Sequence, residues 1–144
     1  MPSYNTHRIF NYLVFLVISV LLYKSNVFIT NLGLYFILGA GFYIGTDFIT
    51  PDLDIESTAI KRWGVLKILW LPYMWLFKHG QSSHNILYGA VVRVLYISLI
   101  ILGIYYLLFR SLPSEMMVSP VYVFVFLTGI MAANALHIVL DAVF

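Results

Sequence analysis

The sequence predicts an all-α membrane protein with four transmembrane helices, an interfacial Trp-rich helix, and a metal site at one membrane face. The 144 residues are 62 % hydrophobic and only 10 % charged, which is more apolar surface than a soluble domain of this length can bury. Four of the six acidic residues nevertheless fall within the stretch TDFITPDLDIE, residues 46–56. Residues 1–144 are expected to form a single integral-membrane domain.

Four apolar stretches approach the roughly 20 residues that a spanning helix requires. They are Ile9 to Phe28, Leu32 to Thr50, Ile86 to Phe109, and Pro120 to Val143. The second stretch also contains Gly41-x-x-x-Gly45, a small-residue pattern that lets two membrane helices approach closely. We therefore expect this stretch to pack tightly against a neighbouring helix.

The connection between the second and third stretches contains all three Trp residues. Its apolar part, WGVLKILWLPYMWLF, is too short to span a membrane and is interrupted by Lys67 and Pro72. Because Trp and Tyr are favoured at headgroup depth, residues 60–77 are predicted to form a helix lying in the interface. A buried or re-entrant hairpin is the alternative.

Basic residues in the flanks of the four stretches indicate the orientation. One side carries Arg8, Lys61, Arg62, Lys67 and Lys78, whereas the other carries Lys24 and Arg110. The positive-inside rule then places both termini on the cytoplasmic side, with the plasma (inner) membrane as the expected location. These charges are too few and too scattered for a nucleic-acid partner.

The same topology brings the ionisable residues with metal-binding chemistry to one membrane face. The set comprises all four His and all four Asp residues: His7, His79, His84, His137, Asp47, Asp52, Asp54 and Asp141. Crowded carboxylates in a poorly solvated place repel each other unless cations intervene. Because the chain lacks Cys, such a site must use His and carboxylate ligands, which suit zinc best, or manganese or iron. The sequence therefore predicts a divalent-metal site.

Local spacing supports this site. His137 and Asp141 are four residues apart and project from one helix face, which Asn134 shares. Ser82 or Ser83 could cap the third span, whose N-terminus would then favour an anion such as phosphate. Arg93, about two and a half turns into that span, is a second anion partner or a counter-ion for Asp141. Taken singly, each residue also has an ordinary explanation as an interfacial polar group, a turn or a cap.

Several short motifs carry a family resemblance: DFITPDLD, RWG, LWLPYMWLFKHG-QSSHN, R-x-x-Y from Arg93 to Tyr96, and a final H-x-x-x-D. With the early His7, they resemble a family of small prokaryotic membrane proteins described as metal-binding. They are similar, more distantly, to LexA-regulated membrane-bound metal-dependent hydrolases and to the zinc-dependent phospholipase C and single-strand nuclease superfamily.

This resemblance implies a metal-dependent phosphoester hydrolase acting on a lipid headgroup at the cytoplasmic interface. It implies that His7, Asp52, His79, His84, His137 and Asp141 are metal ligands. Asp47 or Asp54 would be a further ligand or the general base, and Arg93 would assist catalysis. Membrane lipid is the expected partner, with a phospholipid as substrate. The alternatives are a non-catalytic metal-binding or metal-transport protein and a structural subunit of a membrane complex. Oligomeric state stays open.

Overall fold

The computed structural model describes residues 3–25, 31–77, 86–113 and 118–144. Within these ranges every regular element is helical. The long helices are α1 (Tyr4–Lys24), α2 (Leu32–Asp47), α5 (Ile86–Phe109) and α6 (Pro120–Val143). Between α2 and α5 lie a 3₁₀ helix (Pro51–Asp54), α3 (Thr58–Lys61), a second 3₁₀ helix (Gly64–Trp70) and α4 (Leu71–Leu76). The prediction of an all-helical fold is confirmed.

Three helices in the described part of the chain are long and apolar enough to cross a membrane: α1, the Tyr88–Phe109 portion of α5, and α6. The second predicted span is shorter than expected, because α2 ends at Asp47 and not at Thr50. Its 16 residues rise about 24 Å, less than the roughly 30 Å of a hydrocarbon core. Likewise, α1 ends at Lys24, before the predicted Phe28. A fourth span remains a prediction.

Helices α2 and α6 touch through glycine, as the Gly41-x-x-x-Gly45 pattern predicts. A Cβ atom added at Gly41 would overlap the carbonyl oxygen of Phe126, and one at Gly45 would lie 2.8 Å from the Cα of Ile130. From the other side, a Cβ at Gly129 would overlap the carbonyl oxygen of Leu38. The two backbones are therefore in direct contact, which fixes α6 against the end of α2.

The Trp-rich segment is not the single helix predicted for residues 60–77. It is a succession of short helices, broken at Gly64, whose φ of 55° lies in the left-handed region, and restarted near Pro72 at the beginning of α4. Trp70 and Tyr73 are fully buried, whereas Trp75 is 82 % exposed. The segment therefore packs on a small core through Trp70 and Tyr73 and exposes most of its other large apolar side chains. Its position in the membrane interface stays a prediction.

That small core joins the segment to α5. It consists of Leu53, Ile60, Trp70 and Tyr73, against which Val92, Tyr96 and Ile97 of α5 pack. The Tyr96 hydroxyl also donates a hydrogen bond to the carbonyl oxygen of Leu69. The core therefore holds the polypeptide around Pro51–Asp54 beside α5 and α6, where the candidate site lies.

Candidate metal centre

Two histidines from opposite ends of the chain meet at this site. His7 is in the first turn of α1 and His137 is in the last two turns of α6. Both are buried, and their rings stack with centroids 3.8 Å apart and an interplanar angle of 11°. An unprotonated imidazole offers a nitrogen lone pair, so the stacked rings bring two metal-binding groups to one place.

Asp141 completes a group of three ligands. It follows His137 by one helical turn, and its Oδ2 lies 3.4 Å from His137 Nε2. Its Oδ1 lies 3.2 Å from His7 Nε2. One ligand atom from each of the three residues lies within 4.8 Å of the other two, so one ion could bind all three after small side-chain adjustments.

Asp52 approaches the same group from the 3₁₀ helix Pro51–Asp54. Its Oδ1 lies 3.4 Å from His137 Nε2, and its side chain is 18 % exposed. Pro51, with its fixed φ, begins this helix, and the Ser57 hydroxyl donates a hydrogen bond of 2.8 Å to the main-chain oxygen of Asp52. The local structure thus holds the Asp52 carboxylate at the edge of the group, where it could be a fourth ligand.

The remaining predicted histidines cannot be placed. His79 and His84 lie outside the described residues, as do the possible capping residues Ser82 and Ser83. Their assignment as ligands and caps stays a prediction.

Asp47 has a different environment from the one predicted. It is fully buried at the end of α2, where it accepts hydrogen bonds from the hydroxyls of Tyr4 (2.7 Å) and Tyr12 (2.6 Å). It also forms ion pairs with Arg8, at 3.0 Å from Nε, and with Arg62. The structure therefore does not bring Asp47 into the group of His7, His137 and Asp141. Its contacts indicate that it anchors α1, and its role as ligand or base stays a prediction.

Arg93 and Asp54 are two further residues that the sequence assigned to the site. Arg93 is fully buried in α5 next to the Tyr73 hydroxyl, and the carboxylates that act on it most strongly are Asp54 and then Asp52. Burial raises the pKa of Tyr73, so this hydroxyl remains neutral. The counter-ion partnership of Arg93 with Asp141 stays a prediction, and so do the catalytic roles of Arg93 and Asp54.

Two further buried polar residues, Asn11 and Asn134, lie about one helical turn from the histidines. Asn11 was not predicted from the sequence. Asn11 is buried in α1, one turn beyond His7, and its Nδ2 donates to Thr46 Oγ1 (3.2 Å) and to the Ala133 carbonyl oxygen (3.1 Å). Asn134 is fully buried on α6, and neither of its amide atoms has a hydrogen-bond partner in the described ranges. The signal for Asn11 was its spacing of four residues from His7 within an apolar stretch.

Comparisons with known proteins support metal binding by this chain. The family model described as "Uncharacterized metal-binding protein (DUF2227)" matches residues 2–144. An uncharacterized protein of Aquifex aeolicus (strain VF5) is 32 % identical over 124 residues, which cover 73 % of this chain and 87 % of the relative. No solved structure matches the chain significantly. These comparisons supply no link to LexA-regulated hydrolases or to the phospholipase C superfamily.

Proposed function

The chain belongs to the DUF2227 family of metal-binding proteins, and we propose that it holds a divalent transition-metal ion between His7, His137 and Asp141, with Asp52 as a fourth ligand. The observation that carries this proposal is the convergence of two buried imidazoles and a carboxylate from α1 and α6 within 4.8 Å. Two nitrogen and two oxygen ligands without thiolate suit zinc, and they also suit manganese or iron.

The charge balance of the site supports a divalent ion. In the part of the chain that the structure describes, the carboxylates of Asp52 and Asp141 both lie 3.4 Å from His137 Nε2. Asp52 and Asp54 also act on a buried arginine, Arg93. Three carboxylates and one guanidinium leave a formal surplus of two negative charges in a poorly solvated place. Buried charges are costly unless they are paired, so a doubly charged cation would stabilise this arrangement.

We further propose that this protein is a membrane-embedded phosphoester hydrolase and that the bound ion takes part in catalysis. When bound, such an ion would activate water as a nucleophile and offset negative charge on a phosphoryl group. Of the chain's own residues, Asp54 would accept a proton and Arg93 would hold the anionic phosphoryl group. Three apolar helices support placement in a membrane, and the site near their ends favours a lipid headgroup as the substrate. The distribution of basic residues supports the cytoplasmic face of the plasma membrane.

A structural ion is the second candidate, and a specific observation favours it. The ligands come from α1, α6 and the Pro51–Asp54 helix, so one ion would join three parts of the fold. In that case all coordination positions would be closed by protein atoms, and the binding free energy would be folding free energy.

Metal analysis of the purified chain tests the metal proposal. Wild-type protein should retain at least one transition-metal ion per chain, and changing His137 and Asp141 together to Ala should remove it. Glu56→Gln is the matched control, because Glu56 is an exposed acid close in sequence to Asp52. Folded wild-type protein that binds none of zinc, manganese or iron would refute the site.

A second experiment separates the enzyme from the structural ion. A screen of phospholipid substrates should reveal hydrolysis by the metal-loaded wild-type protein. Asp54→Asn should abolish this hydrolysis while metal content remains close to wild type. The structural function is supported instead if the metal-loaded wild-type protein hydrolyses none of the phospholipids and metal loss always coincides with unfolding.

A further inference from the structure

A groove on the outer surface of α1 has no part in the metal centre. It is lined by Arg8, Ile9, Tyr12, Leu13 and Leu16 and has a volume of about 370 Å³. We infer that this α1 groove binds an anionic phospholipid, with the headgroup phosphate at Arg8 and an acyl chain along the leucines. This lipid is distinct from the proposed substrate, and the inference does not depend on the proposed function.

The apolar part of the groove belongs to a helix surface that no other part of the described chain covers. Ile9, Leu13 and Leu16 are 61 %, 58 % and 59 % exposed. They lie on α1, one of the three helices long and apolar enough to span a membrane. Side chains of this kind at a membrane surface contact acyl chains, so lipid is the occupant that the apolar lining favours.

The arginine that lines the groove, Arg8, belongs to an ion-pair cluster with a surplus of positive charge. Arg8 and Arg62 share a single carboxylate, that of Asp47, whose other hydrogen bonds come from two tyrosine hydroxyls. The side chains of Arg8 and Arg62 are 40 % and 31 % exposed, whereas Asp47 is fully buried. The surface therefore presents two guanidinium groups while their counter-ion is covered.

This distribution of charge selects an anionic lipid over a zwitterionic one. A phosphatidylcholine headgroup brings its own ammonium group, which offsets the attraction, whereas phosphatidylglycerol carries a net negative charge. A basic residue near a membrane surface contributes about a fivefold preference for anionic lipid. Arginine also suits phosphate oxygens geometrically, because its planar group can donate two parallel hydrogen bonds.

The test measures which lipids the purified full-length chain retains. Protein is reconstituted in vesicles of equal phosphatidylglycerol and phosphatidylcholine and extracted in mild detergent, and the retained lipids are quantified by mass spectrometry. Wild-type protein should retain more phosphatidylglycerol than phosphatidylcholine. Arg8→Gln should lower the ratio of the two retained lipids by about fivefold. Lys24→Gln, which alters the basic residue at the other end of α1, should leave it unchanged.

A second pair of variants keeps the test valid if Arg8→Gln fails to fold. Leu13→Ser alters the groove without touching Asp47, and Val17→Ser alters a side chain of matching exposure (59 %) outside it. Only Leu13→Ser should reduce the retained phosphatidylglycerol, by at least half. Equal retention of both lipids by the wild type, or equal losses in the two serine variants, would overturn the inference.

Discussion

Gly129→Ala is the sharpest available test of the contact between α2 and α6. The substitution adds one methyl group where the structure has no room. Besides overlapping the Leu38 carbonyl oxygen, the new Cβ would lie 2.7 Å from the main-chain nitrogen of Phe42. Both neighbours are backbone atoms of α2, so neither can rotate away as a side chain could. The helices themselves must separate.

The size of the effect follows from that geometry. Ordinary van der Waals contact for a Cβ begins at 3.4 Å, so the atom at 2.7 Å must move by at least 0.7 Å. Overpacking of this kind costs about 1–3 kcal/mol, and a rigid backbone contact puts Gly129→Ala at the upper end, about 3 kcal/mol. Gly103→Ala is the matched control, since a Cβ on this exposed residue of α5 meets nothing within 4 Å.

Unfolding in mixed micelles, followed by tryptophan fluorescence, would measure both variants. We expect Gly129→Ala to lower the free energy of unfolding strongly and to reduce metal content, because α6 carries His137 and Asp141. Gly103→Ala should leave stability unchanged or raise it slightly, as alanine favours the helix. If the two variants behave alike, the close contact between α2 and α6 is wrong.

Three further predictions concern buried side chains. Asp47→Asn removes the charge shared by Arg8 and Arg62 and should lower the free energy of unfolding. The loss should be only about 2 kcal/mol, because both arginines are partly solvated. Metal loss without destabilisation would instead identify Asp47 as a ligand. Asn134→Leu removes a buried amide that has no hydrogen-bond partner among the described residues, and it should leave the free energy of unfolding unchanged or raise it. A loss above about 2 kcal/mol would contradict this. Leu53→Ala opens a cavity beside Trp70 and should cost about 2–5 kcal/mol in the same assay, whereas a near-neutral result would disprove the small core.

The features of the fold that depend on short-range pattern could be predicted from the sequence. Helical segments follow from runs of apolar residues, and the contact at Gly41 and Gly45 follows from a spacing of four. The Trp-rich segment was predicted as one helix because its composition resembles an interfacial helix. The structure divides it at Gly64, which adopts a positive φ that composition does not reveal.

Part of the candidate site could also be predicted from the sequence, and part could not. The spacing of His137 and Asp141 and the topology together predicted the group in which His7 joins them. Asp47, in contrast, looked like one more acid of the same cluster. Its actual partners, Tyr4, Arg8 and Arg62, reach it from α1 and from the residue that follows α3. Sequence spacing cannot show which of several neighbouring carboxylates a distant arginine will reach.

The stacked pair of His7 and His137 also has a consequence for the order in which the protein is assembled. The two residues are 130 positions apart, so the site cannot exist until α6 has been synthesised and has reached α1. An ion bound there would close a loop that contains almost the whole chain, and closing a long loop removes much of the freedom of the unfolded state. Metal capture would then mark the completion of folding and secure the first helix to the last.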